Sequence, residues 1–558
     1  MRLQVLFACV AFAAGAVSGA ARATPASGEH TRHAAVDALF KAFTTNTPGA
    51  AVGIYHNGKL VYARGYGMAD LEAGTPIGPQ TRFHVASLSK QFTAFAIALL
   101  AREGKVDLEA DIRRYLPFVP DFRAVITVRD LILHRSGLRD FYALFDIAGH
   151  GIHNVRHEQQ VIDLVSRQRA LNFMPGTAYV YCNTDYTLLA EIVRAVTGRT
   201  LRQFTSERIF QPLGMTHTFF ADDVSEIIPN RAQSYARTGD GRHWQRDLLN
   251  SDNTGATGLS ATVGDLARWA ANFSRPRVGD RALIEQISQN GTLRDGTPIR
   301  YGFGLQRTSL GGRDVVFHVG GEAGFQSIFA YFPGEDFAVA MTTNANFNLN
   351  LADEVTSIAG LYLLKTPAAP ALVAVDARAS PDRLVGTYRA PFAHSLRLEA
   401  RNGRLYRNER DAPQELLQRV DGTFDAGSPQ EEFFTAVEDA SGGVVAVEQH
   451  SPGEGRVTRF ERAPTVPAAP AFDELIGDYY SDELDITYRL RLENGRLLAR
   501  TLWTAEPIML APVVVDGFES DNRYFAAVVF DRDGGGRITG LHVSSDRARN
   551  IEMRRLAQ

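Results

Sequence analysis

The sequence predicts an α+β domain, in which helices and a helical subdomain flank an antiparallel sheet, followed by two small antiparallel β-barrels. Strand-like segments stand at both ends of the first large region, with long helical patterns between them. Two Pro- and Ala-rich stretches, at 365–383 and 463–474, separate two further pieces of similar size. Those two pieces resemble each other, which indicates an internal duplication.

Length and composition set the class of protein. A chain of 558 residues is too long for one core, so several domains are expected. The apolar fraction of 45% and the charged fraction of 22% are those of an ordinary globular protein. The net charge is only -4 and no Lys/Arg-rich block is present, which argues against nucleic acid as a partner.

The N-terminus predicts a signal peptide over residues 1–23. Arg2 gives a positive start, an apolar run follows, and Ala21-Arg22-Ala23 is a small-x-small cleavage pattern. The apolar run is short for a membrane anchor. We therefore expect an exported protein, periplasmic or secreted, with no stable membrane anchor after cleavage. Cys9 leaves with the signal, so Cys182 is left alone and no internal disulfide is expected.

The first domain is predicted to cover residues 24–366. The segment "GAAVGIYHNGKLVYARGYG" (49–67) predicts two strands joined by an Asn-Gly turn. A helical pattern follows at 184–198, strands return over 314–344, and a last helical pattern starts at Leu351. Because strands occur at both ends, we expect them to meet in one antiparallel sheet.

The duplicated pieces predict two barrel domains, at 367–465 and 466–558. Short runs of alternating apolar and polar residues surround Asn-Gly turns in both, which is typical of antiparallel hairpins. Closure into a barrel would remove exposed strand edges. The matching positions are Gly386 with Gly477, Tyr388 with Tyr479, and the Asn-Gly-Arg-Leu runs at 402–405 and 494–497.

Ser87 and Lys90 form a Ser-x-x-Lys motif at the start of an apolar helical pattern. Residues three apart share a helix face, so the lysine can reach the hydroxyl. A serine is a poor nucleophile until a base takes its proton, and a desolvated lysine can be that base. The motif alone is weak, because Ser and Lys are common residues.

Two further motifs follow in the chain. Tyr181 and Asn183 form Tyr-x-Asn on a predicted loop before a helix, a pattern that by itself is more typical of a core tyrosine and a helix-capping asparagine. His318, Gly320 and Gly321 belong to "FHVGGEAG" at the end of an apolar strand, where glycines allow close approach of a substrate backbone.

The three motifs, in this order, resemble the serine β-lactamase and penicillin-binding-protein superfamily. The phrases "ITVRDLILHRSGL" (126–138), "ATGLSATVGDLARWAANF" (256–273) and "YGFGL" (301–305) are similar to those of its class C β-lactamase-like branch, which includes D-peptidases and esterases. The resemblance covers about residues 35–364.

The resemblance implies a role for each motif residue. Ser87 would be the acylated nucleophile, Lys90 and Tyr181 the base and proton relay, and Asn183 the residue that orients the substrate amide. The backbone N–H groups of Ser87 and Gly321 would form an oxyanion hole. Neither a cofactor nor a metal is implied. The substrate-binding and oxyanion set predicted in this way is Asn183, His318, Gly320 and Gly321.

The third motif departs from the family pattern. β-Lactamases and most penicillin-binding proteins carry Lys-Thr-Gly or Lys-Ser-Gly where this chain has His318-Val319-Gly320. Valine lacks the hydroxyl, and histidine is largely neutral near pH 7. We therefore expect weak capture of a substrate carboxylate, which argues against an efficient β-lactamase or D-Ala-D-Ala carboxypeptidase.

A catalytic domain followed by two barrels resembles bacterial D-aminopeptidases, in which a loop of the last barrel reaches the active site. Segments 480–485 and 530–536 are candidates for such a loop. Barrels that act only as spacers or dimer contacts remain the alternative, because fold alone does not settle function.

Three other features have both a functional and a structural interpretation. His150, His153 and His157 have helical spacing that could hold zinc, although a solvated helix face is the stronger expectation. Cys182 is interpreted as a small filler residue. Glu322, beside Gly321, could be a deacylation base but is expected to be exposed.

Together these observations predict an exported serine hydrolase that forms an acyl-enzyme. The favoured activity is that of a peptidase or amidase on short peptides, including peptides with D-residues. A carboxylesterase of the same mechanism and a non-catalytic binding protein are the alternatives. The expected partner is a small-molecule or short-peptide substrate, and a homodimer is left open.

Overall fold

The computed structural model describes residues 29–151, 154–347, 349–363, 381–390, 395–409, 412–418, 423–426, 432–451, 456–463, 472–503 and 506–557. The predicted signal peptide, the predicted zinc candidate His153 and most of both predicted linkers lie outside these residues. The predicted boundaries at 366 and 465 fall in those linkers and stay predictions.

The described α-helices all lie in the N-terminal part of the chain. None of those that the structure describes is long and apolar enough to cross a membrane. They are α1 Glu29–Leu39, α2 Ser89–Arg102, α3 Val128–Ile132, α4 Phe141–Ile147, α5 Glu158–Arg167, α6 Asn183–Thr197, α7 Leu201–Thr205, α8 Gln211–Leu213, α9 Val263–Ser274, α10 Arg281–Ile287 and α11 Leu351–Tyr362.

The same part of the chain contains thirteen described strands. They are β1 Ala50–His56, β2 Lys59–Tyr66, β3 Met68–Asp70, β4 Thr75–Pro76, β5 Phe83–His84, β6 Phe219–Phe220, β7 Tyr235–Arg237, β8 Trp244–Arg246, β9 Leu259–Ala261, β10 Gln306–Leu310, β11 Arg313–Glu322, β12 Phe325–Phe332 and β13 Phe337–Thr343. The main sheet has the order β10-β11-β12-β13-β1-β2, and the short strands form the sheets β3-β4, β5-β9-β6 and β7-β8.

The main sheet joins the two ends of the domain, as the sequence predicts. β1 pairs antiparallel with its neighbour β2 and also with β13, where Val52 lies opposite Met341. The predicted Asn-Gly turn between β1 and β2 is present, with φ of 50° at Asn57 and 85° at Gly58. Positive φ at both turn positions is the geometry that Asn-Gly favours, so this hairpin is set by local sequence.

Both faces of the main sheet are buried under helices. Because successive side chains of a strand point to opposite faces, neighbouring residues pack against different helical layers. Val52 and Ile54 of β1 pack with Val355 of α11 on one face. Ala51 and Tyr55 of the same strand join the core that contains α2, α6 and α9 on the other face. The candidate site lies on this second face, where α2 meets the end of β11.

Two closed eight-stranded antiparallel barrels follow, which confirms the predicted architecture. The first contains β14 Gly386–Arg389, β15 Leu396–Arg401, β16 Arg404–Glu409, β17 Ala412–Gln418, β18 Phe424–Asp425, β19 Phe433–Glu438, β20 Val444–Ser451 and β21 Arg456–Arg462. The second contains β22 Gly477–Ser481, β23 Ile486–Glu493, β24 Arg496–Arg500, β25 Ile508–Val514, β26 Gly517–Glu519, β27 Ala527–Arg532, β28 Ile538–Ser544 and β29 Ile551–Arg555.

Candidate active site

Ser87 lies in a short 3-10 turn, Ala86–Leu88, that leads from β5 into α2. Ala86 has a φ of 47°, a left-handed conformation that costs energy in a residue with a side chain. The Ser89 hydroxyl donates to the Ala86 carbonyl at 2.6 Å and accepts from the Leu259 N–H at 3.1 Å. These bonds fix the turn on which the Ser87 side chain is presented.

Lys90 lies one turn further along, with its Nζ 3.2 Å from the Ser87 Oγ. Its Nζ also donates to the Asn183 Oδ1 at 2.8 Å and to the Ala256 carbonyl at 2.7 Å. A neutral amine has two N–H groups and one lone pair. When the two hydrogens bind Asn183 and Ala256, the lone pair is left for the Ser87 hydroxyl, which is the arrangement of a general base.

The environment of Lys90 favours the neutral amine. Its side chain is fully buried, and this burial lowers its pKa to about 7. The nearby carboxylates of Asp140 and Glu322 oppose the shift, while the charge of Arg547 adds to it. Both protonation states are therefore populated near neutral pH, as a base operating at that pH requires.

Tyr181 and Asn183 occupy the end of a loop and the first residue of α6. The Lys90 Nζ lies 4.8 Å from the centroid of the Tyr181 ring, so tyrosine and lysine are neighbours. The Asn183 Nδ2 donates to the Asp140 Oδ2 at 2.8 Å, and the Asn183 backbone N–H donates to the same oxygen at 2.6 Å. One amide hydrogen of Asn183 is therefore used inside the protein, and its oxygen faces Lys90.

Asp140 is a site residue that sequence reasoning missed. It precedes α4, and its Oδ1 accepts from the Tyr142 N–H at 3.0 Å as a helix cap. Its sequence signal was that of an ordinary N-cap, an aspartate before an apolar helix. The bonds to Asn183 are tertiary contacts between residues 43 positions apart, which no local pattern predicts.

The third motif lies on the free end of β11. Pairing with β10 stops at Phe317, opposite Gln306, so residues 318–322 extend beyond that neighbour and pair with β12 alone. A Cβ added to Gly320 would lie 2.4 Å from the Val85 carbonyl oxygen and 3.1 Å from the Ser87 nitrogen. Glycine is needed here because the strand passes directly against the turn that carries Ser87.

His318 is neutral in this site. Burial and the charge of Lys90 lower its pKa to about 3. Its Nδ1 lies 2.6 Å from the Val319 carbonyl, and its Nε2 lies 3.1 Å from the Tyr301 hydroxyl. The carbonyl can only accept, so Nδ1 carries the proton and Nε2 accepts from Tyr301. His318 therefore supplies no positive charge for a substrate carboxylate.

Glu322 is buried, not exposed as the sequence reasoning expected. Its Oε2 lies 2.8 Å from the His84 Nε2 and accepts a short hydrogen bond from Thr257; its Oε1 accepts one from Tyr142 and lies 3.7 Å from the Arg156 Nη2. Burial alone would raise its pKa, but His84, Arg156 and Thr257 lower it to about 2. A carboxylate so surrounded is a fixed charge, which does not fit the deacylation base considered above.

The second barrel reaches the site through the loop between β28 and β29. The Arg547 Cζ lies 5.2 Å from the Tyr181 ring centroid, and the Arg547 carbonyl accepts from the Asp140 N–H at 3.0 Å. Neither predicted loop contains this residue. A basic residue in a polar hairpin loop carries no sequence signal for a site 366 positions earlier, so Arg547 could be found only in the tertiary structure.

The two predicted loops differ in their contacts. In segment 480–485, the Glu483 carboxylate accepts from the Arg139 Nη1 at 2.5 Å and from the Arg169 N–H at 3.0 Å. This loop therefore anchors the barrel to the catalytic domain. In segment 530–536, Arg532 pairs with Asp516 and Glu474 of its own barrel.

The predicted histidine face is wrong. His150 follows α4 and His157 caps the start of α5, so these two do not share a helix. In the part of the chain that the structure describes, no three His, Cys, Asp or Glu side chains are placed to hold a metal ion. The Cys182 thiol is buried and donates to the Leu138 carbonyl at 3.5 Å, as a packed filler residue does.

Comparison with known proteins identifies the class to which this fold and site belong. The Beta-lactamase family model matches residues 36–360, more than half of the chain. The chain belongs to this family, and it is a serine hydrolase.

Relatives extend the match into both barrels. The chain is 29% identical to a D-aminopeptidase of Brucella melitensis biotype 2 (strain ATCC 23457) over 91% of this chain and 96% of that protein. It is also 29% identical to a D-aminopeptidase of Gluconobacter oxydans (strain 621H), over 94% and 98% of the two chains. These similarities support a serine peptidase or amidase.

A solved structure supports the fold. The octameric penicillin-binding protein homologue from Pyrococcus abyssi superposes with a TM-score of 0.52 and 20% identity, covering 85% of this chain and 98% of that one. At this identity the likeness concerns the fold alone.

Proposed function

We propose that this chain is an exported D-aminopeptidase-like amidase that acts on short peptides through an acyl-enzyme on Ser87. The observation that carries the proposal is the contact of 3.2 Å between the Ser87 Oγ and the buried Lys90 Nζ, whose other two partners fix its direction. This contact supplies the base that a serine nucleophile needs.

The reaction follows from the placement of these groups. Neutral Lys90 takes the hydroxyl proton while Ser87 Oγ attacks the amide carbon, and the N–H groups of Ser87 and Gly321 stabilise the oxyanion. Lys90 and Tyr181 return the proton to the nitrogen of the leaving amine as the C–N bond breaks. Water then attacks the ester through the same groups, which releases the acid and restores Ser87.

The preferred substrate is a short peptide or amide whose amino-terminal residue has the D-configuration. Two relatives named as D-aminopeptidases support this choice, since their similarity spans the catalytic domain and both barrels. The neutral state of His318 supports it as well, because a site without a cation in the third motif gains little from a substrate carboxylate.

The test compares D-alanine p-nitroanilide with p-nitrophenyl acetate, using the mature protein and Ser87→Ala. We expect release of p-nitroaniline by the parent and a loss of at least about a thousandfold in the variant. L-Alanine p-nitroanilide and N-acetyl-D-alanine p-nitroanilide are the matched controls for configuration and for the free amine. Equal turnover of all three amides would contradict the proposed specificity.

Labelling with a fluorophosphonate separates a wrong substrate from a wrong site. The reagent forms a covalent bond with an activated serine and needs no substrate recognition. Labelling of the parent but not of Ser87→Ala is expected. A parent that does not label would contradict acyl transfer on Ser87 and favour the binding-protein alternative.

A carboxylesterase is the second candidate, and Val319 is the observation that favours it. Valine provides no hydroxyl at the third motif, so the site has few polar anchors for the end of a peptide. Turnover of p-nitrophenyl acetate alone, lost in Ser87→Ala, would support the esterase and contradict the amidase.

Export is part of the proposal because residues 1–23 have the charge, apolar run and cleavage pattern of a signal peptide. The protein recovered from the periplasm or medium is expected to have the intact mass of a chain that begins at Thr24. Full-length protein retained in the cytoplasm would contradict export.

A further inference from the structure

Two basic side chains face the same tyrosine in the candidate site. The Lys90 Nζ lies 4.8 Å from the centroid of the Tyr181 ring, and the Arg547 Cζ lies 5.2 Å from it. The two charges are therefore at most about 10 Å apart, in a region where water screens them poorly. Lys90 comes from the catalytic domain and Arg547 from the second barrel.

Arg547 is placed by its backbone as well as its side chain. Its carbonyl accepts from the Asp140 N–H at 3.0 Å and from the Asn172 Nδ2 at 2.9 Å, and its N–H donates to the Ser545 Oγ at 3.3 Å. Its side chain is 7% exposed. The loop is thus fixed against the segment that carries Asp140, the anchor of Asn183.

The charged and titratable groups around this pair come from several elements. The Asp140 carboxylate is bound to Asn183, the Glu322 carboxylate to His84, and Asp546 lies 4.0 Å from the Arg547 Nε with a half-exposed side chain. Burial lowers the pKa of His134 and His318, so both are neutral, and it raises the pKa of Cys182, Tyr301 and Tyr524.

We propose that Arg547 is a positioning residue whose fixed positive charge, beside Tyr181, opposes a second positive charge on Lys90. The second barrel would thereby complete the general base of the first domain. The inference rests on the proposed function, because it assumes that neutral Lys90 activates Ser87.

The direction of the effect follows from like-charge repulsion. Arg547 disfavours protonated Lys90, in the same sense as burial does, while Asp140 and Glu322 favour it. Removing the guanidinium is therefore expected to raise the pKa of Lys90. Less Lys90 would then be neutral at pH 7, and activation of Ser87 would need a higher pH.

The experiment measures the rate of fluorophosphonate inactivation between pH 5 and 10 for the parent, Arg547→Met and Arg547→Lys. The parent rate is expected to rise with pH through about 7, the pKa of Lys90. This rise with pH is the acid limb of the pH–rate profile. In Arg547→Met its midpoint is expected to move up by about one pH unit, because the Coulomb repulsion between the two charges at this separation is lost. Arg547→Lys, which keeps a cation, is expected to restore the parent limb.

A merely structural role would give a different result. Poor docking of the barrel would lower the rate at every pH without moving the limb, and that outcome overturns the proposal. Arg169→Gln is the control, because Arg169 lies at the same interface, 3.5 Å from Asp482, with a largely exposed side chain. Its limb is expected to match the parent.

A second variant, Arg547→Gln, covers the case in which Arg547→Met does not fold. It removes the same charge but keeps a polar end that can form hydrogen bonds, so the limb is again expected to move up. An unmoved or lowered limb would contradict the inference. A parent that does not react, or a Ser87→Ala variant that reacts equally, would instead refute the proposed function itself.

Discussion

The two barrels have the same fold but different surroundings. Both close with eight antiparallel strands in sequence order. In both, a tyrosine hydroxyl donates to a leucine carbonyl four residues earlier at 2.9 Å, from Tyr388 to Leu384 and from Tyr479 to Leu475. Yet the buried core of the second barrel is continuous with the catalytic core, whereas the described core of the first barrel is a separate cluster.

The two copies differ at residues that contact the catalytic domain. In the alignment of the two repeats, Tyr488 of the second barrel corresponds to Leu396 of the first. The Tyr488 hydroxyl donates to the Ile147 carbonyl at the end of α4, a contact that leucine could not make. The strand order is the same in both copies, whereas a few side chains and loops determine which copy contacts the active site.

The largest effect is expected for Glu483→Gln, which tests the attachment of the second barrel to the catalytic domain. Glu483 compensates the Arg139 guanidinium, which is buried between the second barrel and the catalytic domain. Burial lowers the pKa of Arg139, which shows that its charge is costly there without a partner. Removing the carboxylate is expected to lower the free energy of unfolding by about 3 kcal/mol, measured by calorimetry.

The matched control is Glu438→Gln in the first barrel. Glu438 pairs with Arg383 on the surface, with about two fifths of each side chain exposed. Such pairs contribute at most about 1 kcal/mol. If the two substitutions cost the same, the distinction between the barrels does not hold at this contact.

A smaller effect on stability but a large one on activity is expected for Asp140→Asn. The amide NH2 of asparagine would face the two N–H donors of Asn183, which now share one carboxylate oxygen. Loss of both charged bonds, at about 1.5–3 kcal/mol each, predicts a fall in kcat/KM of at least about 100-fold. Steady-state kinetics on D-alanine p-nitroanilide provide the measurement.

Asp280→Asn separates this effect from loss of a helix cap. Asp280 caps α10, and its Oδ1 accepts from the Leu283 N–H at 2.8 Å, away from the site. Asparagine caps helices nearly as well as aspartate, so activity should be unchanged. A comparable loss of activity in this control would remove the special role of Asp140.

The smallest effect is expected at one hydrogen bond between the second barrel and the catalytic domain. Tyr488→Phe removes the bond to Ile147 and is expected to cost about 1 kcal/mol in urea unfolding followed by tryptophan fluorescence. All three tryptophans, Trp244, Trp269 and Trp503, lie outside the first barrel. Tyr388→Phe, within the first barrel, should therefore leave this signal unchanged, and an equal shift in both variants would contradict the separation of the two cores.

Much of the fold was predictable from short-range patterns. The Asn57-Gly58 turn specifies its hairpin through φ angles that few other residues adopt. The matching Gly and Tyr positions indicated two copies of one fold, because similar apolar patterns bury the same face of each strand. The prediction failed at His150 and His157, since helical spacing alone does not form a helix between residues that lie on separate elements.

The contact between Ser87 and Lys90 could be predicted from local sequence, because one helical turn brings residues three apart onto one face. Sequence patterns also identified the family, the order of the domains and the absence of a lysine in the third motif. The burial of Glu322, the hydrogen bonds between Asp140 and Asn183, and the position of Arg547 beside Tyr181 could be found only in the folded protein. Those features depend on contacts between distant segments of the chain. Burial in these contacts determines which side chains stay charged and which become neutral.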